Sequence, residues 1–212
     1  MKTVFRIAAS LLVAALAGCA GLVDKPVRAT LYDFGPGRVT PAAAPAPQAT
    51  RPALVLADVD AAGALDGSAV LYRLGYADDH QLRPYAQARW SASPPQLVRQ
   101  RLREQIGRDR IVLNPGEGAA LARSGGLLPR ALRIELEEFS QFFSSPTESV
   151  GLVRLRATLL ENTAGGEKLL AQRDVVVQRP APSADAAGGV RALSAAVDAA
   201  ADELVQWLAQ VP

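Results

Sequence analysis

Strict alternation of apolar and polar residues marks the middle of the chain. Arg133 and Glu135 separate Leu132, Ile134 and Leu136, and Arg154 and Arg156 separate Val153, Leu155 and Ala157. A period of two is the signature of a strand with one buried face. Ser144-Ser145-Pro146 lies between the two runs and predicts the turn of a long hairpin. A register that pairs Glu137 with Arg154 also pairs Leu136 with Leu155 and Glu135 with Arg156. One face is then apolar and the other carries opposite charges, each pair contributing roughly 0.2–1 kcal/mol. The alternation fixes that register. It also turns Glu138 inward, which predicts a bulge or an edge near it. Phe139 and Leu152 fall opposite each other on the outer face, a candidate partner surface.

Shorter apolar runs predict the remaining strands. Thr30 to Phe34 reads as a short strand ended by Gly35-Pro36-Gly37. Pro41, Pro45, Pro47 and Pro52 stand among alanines, a composition that excludes regular helix and central strand and predicts an extended linker or loop. Leu54 to Val59 is a buried strand. Ala69 to Tyr76 and Gln81 to Trp90 form a hairpin about the polar turn Ala77 to His80. Arg110 to Leu113 is a further strand, followed by an Asn114-Pro115-Gly116 loop. Asn162 to Gly166 turns into the strand Leu169 to Gln178, which Pro180 and Pro182 end.

Two helices are signalled by a period near 3.6. Ser93 is the N-cap of the first, with Pro94 at its first position and Gln96 at its third. Leu97, Val98, Leu102 and Ile106 form its apolar stripe, and Gly107 is its C-terminal stop. The second runs from about Asp185 or Gly189 to Gln210. Val190, Leu193, Val197, Ala200, Leu204 and Leu208 mark one face, flanked by Ala196 and Trp207. Arg191, Asp198, Asp202 and Glu203 make its other side too polar to cross a membrane. There is no internal repeat. Strands, helix, strands, helix predict an α+β two-layer sandwich: a mixed, largely antiparallel sheet with two helices on one face.

Composition narrows the chemistry. The 212 residues, 49% hydrophobic and 21% charged, suit one globular domain with a tail. One cysteine excludes a disulfide framework within the chain and any multi-cysteine metal site. One histidine, His80, excludes motifs that need two. The N-terminus sets the compartment. A basic stretch, Met1 to Arg6, precedes eleven uncharged residues, Ile7 to Ala17. That run is too short to span a hydrocarbon core, which takes about 20 helical residues, and it fits a secretory h-region. Leu16-Ala17-Gly18-Cys19 then resembles a bacterial lipobox, in which the cysteine thiol is diacylated, the chain is cut before it and the new amine is acylated. Two or three acyl chains anchor stably where one does not. Ala20 follows Cys19 where an aspartate would imply inner-membrane retention, so the resemblance favours the outer membrane. Loss of Lys2 and Arg6 with the leader leaves 21 basic and 21 acidic residues. The near-neutral mature chain gives no reason to expect nucleic acid as a partner.

No catalytic or cofactor-binding residue emerges. Gly116-Glu117-Gly118 opens like a dinucleotide loop, but Leu121 stands where the third glycine belongs. There is no Gly-x-Ser-x-Gly elbow, and Lys2, Lys25 and Lys168 lie outside any glycine-rich phosphate loop. Asp78, Asp79 and His80 could suggest a metal, yet turn chemistry explains them and adjacent positions give poor ligand geometry. Glu137 and Glu138 alternate faces and would not share a site. Arg99, Arg101, Arg103, Arg108 and Arg110 form a basic stretch in which Arg99 and Arg103 share a helix face. They are a candidate surface for anionic head groups or an acidic partner, or a plain solvated face. Tyr72, Tyr76, Tyr85 and Trp90 concentrate in one hairpin, as packing residues.

One segment goes further. Val70-Leu71-Tyr72-Arg73, then Leu82-Arg83-Pro84-Tyr85-Ala86-Gln87-Ala88-Arg89-Trp90, then Ser93-Pro94-Pro95 and Leu102 resemble the central signature of the ABC-type transport auxiliary lipoproteins. In that family a Tyr-Arg strand leads into a Tyr-x-x-x-x-Trp strand, and proline opens a helix. Leu31-Tyr32-Asp33-Phe34 resembles the family's opening Tyr-x-Leu strand, with Phe34 in place of leucine. The Pro/Ala-rich stretch from Pro36 to Pro52 departs from the pattern. The resemblance implies a signal peptide over 1–18, a tether with a first strand over 19–52, and the family domain over 53–210. It implies a non-enzymatic subunit whose one chemically modified residue is Cys19. The implied partners are a mammalian-cell-entry-domain protein and a separate ATPase and permease that move phospholipid between membranes. A homo-oligomer is compatible with it. The competing reading is a stand-alone envelope lipoprotein acting as chaperone or plug for an outer-membrane barrel.

Overall fold

The structure, a computed structural model, describes residues 28–37, 51–123, 128–163 and 165–211. The leader, Cys19 and most of the Pro/Ala-rich linker lie outside the described residues.

One sheet of eight strands carries the fold. Its strands are β1 (Thr30–Tyr32), β2 (Arg51–Ala61), β3 (Ala69–Leu74), β4 (Asp78–Trp90), β5 (Arg110–Leu113), β6 (Arg130–Phe143), β7 (Ser149–Thr163) and β8 (Gly166–Pro180). The described helices are α1 (Pro94–Ile106), α2 (Pro115–Arg123) and α3 (Ala186–Gln210). The sheet is mixed and open, and α1 and α3 pack on one face, so the architecture is the α+β two-layer sandwich.

β6 is the spine. One of its edges pairs with β7 along its whole length, antiparallel. The other edge is shared. β2 runs parallel to the first half of β6 as far as Ala61 opposite Leu136, and β3 takes over, with Tyr72 opposite Gln141. The changeover falls where β6 bulges, between Leu136 and Glu138. Glu135–Arg156 and Leu136–Leu155 pair as the alternation predicts. Beyond them Glu138, not Glu137, sits opposite Arg154. The bulge expected near Glu138 is therefore present one residue earlier, and it corrects the outer-surface assignment of Phe139. One extra residue inverts every side chain after it. Phe139 pairs with Val153 and is 1% exposed, whereas Leu152 pairs with Ser140 and stays half-buried on the open face.

The last helix presents the face its period predicts. Val190, Leu193, Ala196, Val197, Ala200, Leu204 and Leu208 are all buried. They meet Val153, Leu155, Ala157, Leu159, Val175 and Val177 of the sheet. Asp185 caps the helix by accepting the Gly188 backbone N–H at 2.7 Å. Gly151 lets α3 approach closely, because a Cβ there would lie 2.5 Å from the Ala192–Leu193 backbone.

Local rules fail at four further points. The β3–β4 turn is Gly75–Ala77, and Asp78 and His80 already belong to β4. Asn114-Pro115-Gly116 opens a helix instead of a loop. Pro115 suits a first helical position, and the Glu117 carboxylate accepts the Asn114 backbone N–H at 2.6 Å, the return half of a capping box. That helix lies against the sheet's other face, above a small second cluster of Val55, Ala131 and Leu160. Gly107 ends α1 with φ of −66°, so no left-handed cap is involved. Pro180 is the last residue of β8, at an edge where its missing N–H costs nothing.

Candidate functional site

The tether meets the fold at β1. This three-residue strand adds to the edge of β4 in parallel, with Thr30 opposite Ala88 and Tyr32 opposite Trp90. Phe34 follows and enters the core, its ring edge-on to Trp90 at 5.5 Å and 6.0 Å from Phe139. Arg101 closes the joint. Buried on α1, it donates to the Phe34 carbonyl at 2.6 Å and the Gly35 carbonyl at 3.2 Å, pairs with Asp198 of α3 at 2.8 Å, and lies 6.0 Å over the Phe34 ring. One guanidinium thus ties the end of the tether to both helices. A guanidinium suits this place because it stays charged when buried and offers five donors in a fixed fork. In the sequence Arg101 is one of several basic helix residues. The separating signal was its spacing: Arg101 stands one residue before Leu102, on the flank of the apolar stripe.

Arg99 and Arg103 do share a side of α1, and they use it internally. Arg99 donates to the Leu56 and Ala57 carbonyls and to Asn114 Oδ1 at 2.9 Å, and Arg103 donates to the same oxygen at 3.0 Å. Arg99 therefore pins β2 and the start of α2, and Arg103 the start of α2 alone, which corrects the reading of these two as a solvated basic face. Asp58 pairs with Arg99 at 3.2 Å.

The family-like signature builds the β3–β4 side of the sheet. A spacing of five would place Tyr85 and Trp90 on opposite faces of a regular strand. Register shifts in the β3–β4 pairing bring both to the helix-covered face. Trp90 packs on Phe139 at 5.5 Å, and Tyr85 stacks on Tyr72 at 4.6 Å. The Tyr85 hydroxyl donates to Gln141 Oε1 at 2.8 Å, and Gln141 Nε2 donates to Ser149 Oγ at 2.8 Å. Burial raises the Tyr85 pKa to about 12, with smaller contributions from Tyr72 and Asp185. Arg73 pairs with Glu138 at 3.0 Å across the sheet fork.

Glu137 contacts Arg154 at 2.9 Å and Arg156 at 3.0 Å, while Glu138 is held by Arg73. The bulge breaks the face alternation expected of these two carboxylates, and guanidinium pairing occupies both. Arg156 also meets Asp174 at 2.9 Å, and that hydrogen bond, followed by the Glu137 charge, raises its pKa. Asp78, Asp79 and His80 come closer than adjacent positions suggested: one ligand atom from each lies within 4.8 Å of the others. His80 Nδ1 is 2.9 Å from Asp79 and 3.4 Å from Asp78. The His80 backbone N–H donates to Asp78 and is the main cause of that carboxyl's lowered pKa. All three groups stand open to solvent at the strand start.

Among the described residues, two of the shallow clefts border the elements above. One of about 460 Å³ lies under α2 on the open face, with Val55, Ala57 and Ala131 as floor and Asp60, Arg133 and Glu167 at the rim. The other, about 570 Å³, separates β1 and Phe34 from Val190, Ser194 and Asp198 of α3. Among the described residues no helix is long and apolar enough to cross a membrane.

This is a fold of packed layers, and solved structures are similar to it. A Xanthomonas campestris protein of the DUF330 family superposes with a TM-score of 0.60 at 19% identity, over 74% of this chain and 82% of that one. An uncharacterized protein gives 0.58 at 14% identity, over 86% and 99%. A hypothetical protein of Chlamydia trachomatis gives 0.52 at 8% identity, over 76% and 98%. No curated protein matches. The sequence itself matches the ABC-type transport auxiliary lipoprotein component over residues 36–205, and the chain belongs to that family.

Proposed function

We propose that this protein is a non-enzymatic, lipid-anchored subunit of an ABC-type phospholipid transport system that maintains the outer membrane. Acyl chains on Cys19 hold it in the outer membrane facing the periplasm. The folded domain then contacts the mammalian-cell-entry-domain protein that works with the ATPase and permease. The family match across residues 36–205 carries this reading, with a secretory leader and the chain's one cysteine directly upstream.

Two measurements test it. Cells grown with labelled palmitate incorporate label into the wild-type chain and not into Cys19→Ser. Affinity isolation of the acylated protein from cross-linked cells recovers a mammalian-cell-entry protein or a permease. An unlabelled wild-type chain removes the anchor. Recovery of an outer-membrane barrel in place of transporter components would favour the chaperone or plug reading.

A further inference from the structure

The chain that leads into the fold has a direction. β1 runs parallel to β4, and β4 begins at the β3–β4 turn. The residues before Thr30 therefore leave toward the end of the sheet that holds this turn. Leu74 pairs with Phe143, so the β6–β7 turn lies at the same end, and so does Pro180, opposite Val150. The other end holds the β7–β8 turn, the starts of β2, β5 and β6, and the cleft under α2. We infer that the end with the two turns faces the lipid bilayer, with its zwitterionic head groups as the docking surface, and that the cleft end points away. This rests on Cys19 being the anchored residue.

Length decides between the two orientations. Ten residues lie between Cys19 and Thr30, and the eleven steps from one to the other reach at most about 36–40 Å. Through the β1–β4, β3–β4 and β3–β6 registers Thr30 lies level with about Phe139 of β6. Four residues of β6 then remain to the turn end, roughly 13 Å, and nine to the opposite end, roughly 30 Å. With the turn end down, more than half of the tether's reach is slack. With the cleft end down, the tether must double back along the sheet and arrive nearly straight, giving up the backbone freedom of almost every residue in it.

The surface at the turn end fits that placement. Tyr76 stands at the tip of the β3–β4 turn, 47% exposed. Val150, Leu152 and Pro180 form adjoining rows on the open face at the same end, with Pro180 exposed and Val150 and Leu152 half-buried. A tyrosine with an apolar body and a polar tip suits the head-group region. Asp78, Asp79 and Glu148 at this end stand beside Arg73, Arg83 and Arg179, so the end carries no basic excess to draw anionic lipid and suits zwitterionic lipid.

The test uses the acylated full-length protein in phosphatidylcholine–phosphatidylethanolamine vesicles. With the Cys19 sulfur consumed, a new cysteine takes a single dye. Thr147→Cys places it in the β6–β7 turn, and Gly165→Cys or Lys168→Cys places it at the opposite end. A quencher attached to lipid head groups should quench the Thr147 dye severalfold more than either of the others. Equal quenching, or the reverse order, in protein that stays on the vesicles overturns the orientation and leaves the anchor intact. Loss of quenching at Thr147 together with a cross-linked dimer assigns the surface to a second copy and also overturns it. Protein that carries no acyl chain overturns anchor and orientation together.

Discussion

Before its bulge, β6 turns Leu132, Ile134 and Leu136 inward, beside Leu54, Leu56 and Val59 of β2 and opposite Leu155, Ala157 and Leu159 of β7. After the bulge it turns Phe139, Gln141 and Phe143 inward, among Trp90, Tyr72, Tyr85 and Phe34. The first half is aliphatic, and its β6–β7 register follows from alternation, while β2 shifts against β6 between Leu56 and Val59. The second is aromatic and polar, with irregular registers, and it receives the tether. Aliphatic burial supplies stability that many side-chain sets can supply. A cluster of rings around a polar chain fixes one geometry, because each ring and each hydrogen bond has a preferred direction. The family signature lies in the second half, which fits a role in setting where the N-terminal strap sits.

The largest effects should come from emptying each half in turn. Trp90→Ala removes a buried ring and should cost about 3–5 kcal/mol, and Leu132→Ala about 2–5 kcal/mol, both read from urea unfolding. The halves should separate in hydrogen exchange. Trp90→Ala should lose protection at the Tyr32 amide beyond its global loss, since Phe34 packs on that ring. Leu132→Ala should lower protection evenly. Equal patterns in the two variants would erase the distinction between the halves.

Arg101→Met comes next, at about 2–4 kcal/mol. The substitution keeps the apolar stem and leaves two carbonyls and Asp198 without their donor. Removing one member of a buried pair costs about 3–5 kcal/mol, reduced here because Asp198 is partly open to water. The strap amides should again lose protection first. A variant as stable as wild type would show that the strap is held by β1 pairing and the Phe34 ring alone.

How far the sequence could be read follows the same division. Period two in β6 and β7 and period 3.6 in α3 report burial against one flat surface, so the inward faces of the aliphatic half and its helix were legible, while the ends of β2 were not. Near Glu138 the clash between an inward charge and the apolar face announced the bulge. The phase of everything beyond it depended on which residue was extra, and one residue decided Phe139. In β4 the odd spacing of Tyr85 and Trp90 carries no face information once registers shift. The short helix α2 was missed because its nine residues include two glycines and a proline, so a turn and a capped helix look alike. The arginines were misread for a different reason. A guanidinium reaches far from its Cα, so helix position alone does not tell whether Arg99, Arg101 and Arg103 face water or carbonyls.

Gly151→Ala should cost about 1–3 kcal/mol, because the added Cβ meets α3 backbone that cannot rotate away. Gly67→Ala is the matched control, with nothing within 4 Å of the new atom. A full loss at Gly151 with none at Gly67, measured by thermal unfolding, places the strain at the seam where α3 crosses β7 in the aromatic half. Equal shifts would assign it to the unfolded chain instead.

The smallest effect probes where that seam begins. Asp185 caps α3 beside the aromatic half, and the Gly188 N–H is the main cause of its lowered pKa, followed by the Ser183 hydroxyl. Asp185→Ala should cost about 0.5–2 kcal/mol at neutral pH. A carboxyl whose folded pKa lies below its unfolded value of 3.8 stabilises the fold above that value and loses the contribution as pH falls through the folded one. The wild type should therefore lose its advantage over Asp185→Ala as pH falls below about 4, with the two stabilities converging. Asp185→Asn keeps an acceptor oxygen without the charge, so it should hold most of the cap and show a flatter acid limb. If the alanine and asparagine variants track each other at every pH, the cap bond contributes nothing, and α3 is placed by its apolar face and by Gly151 alone.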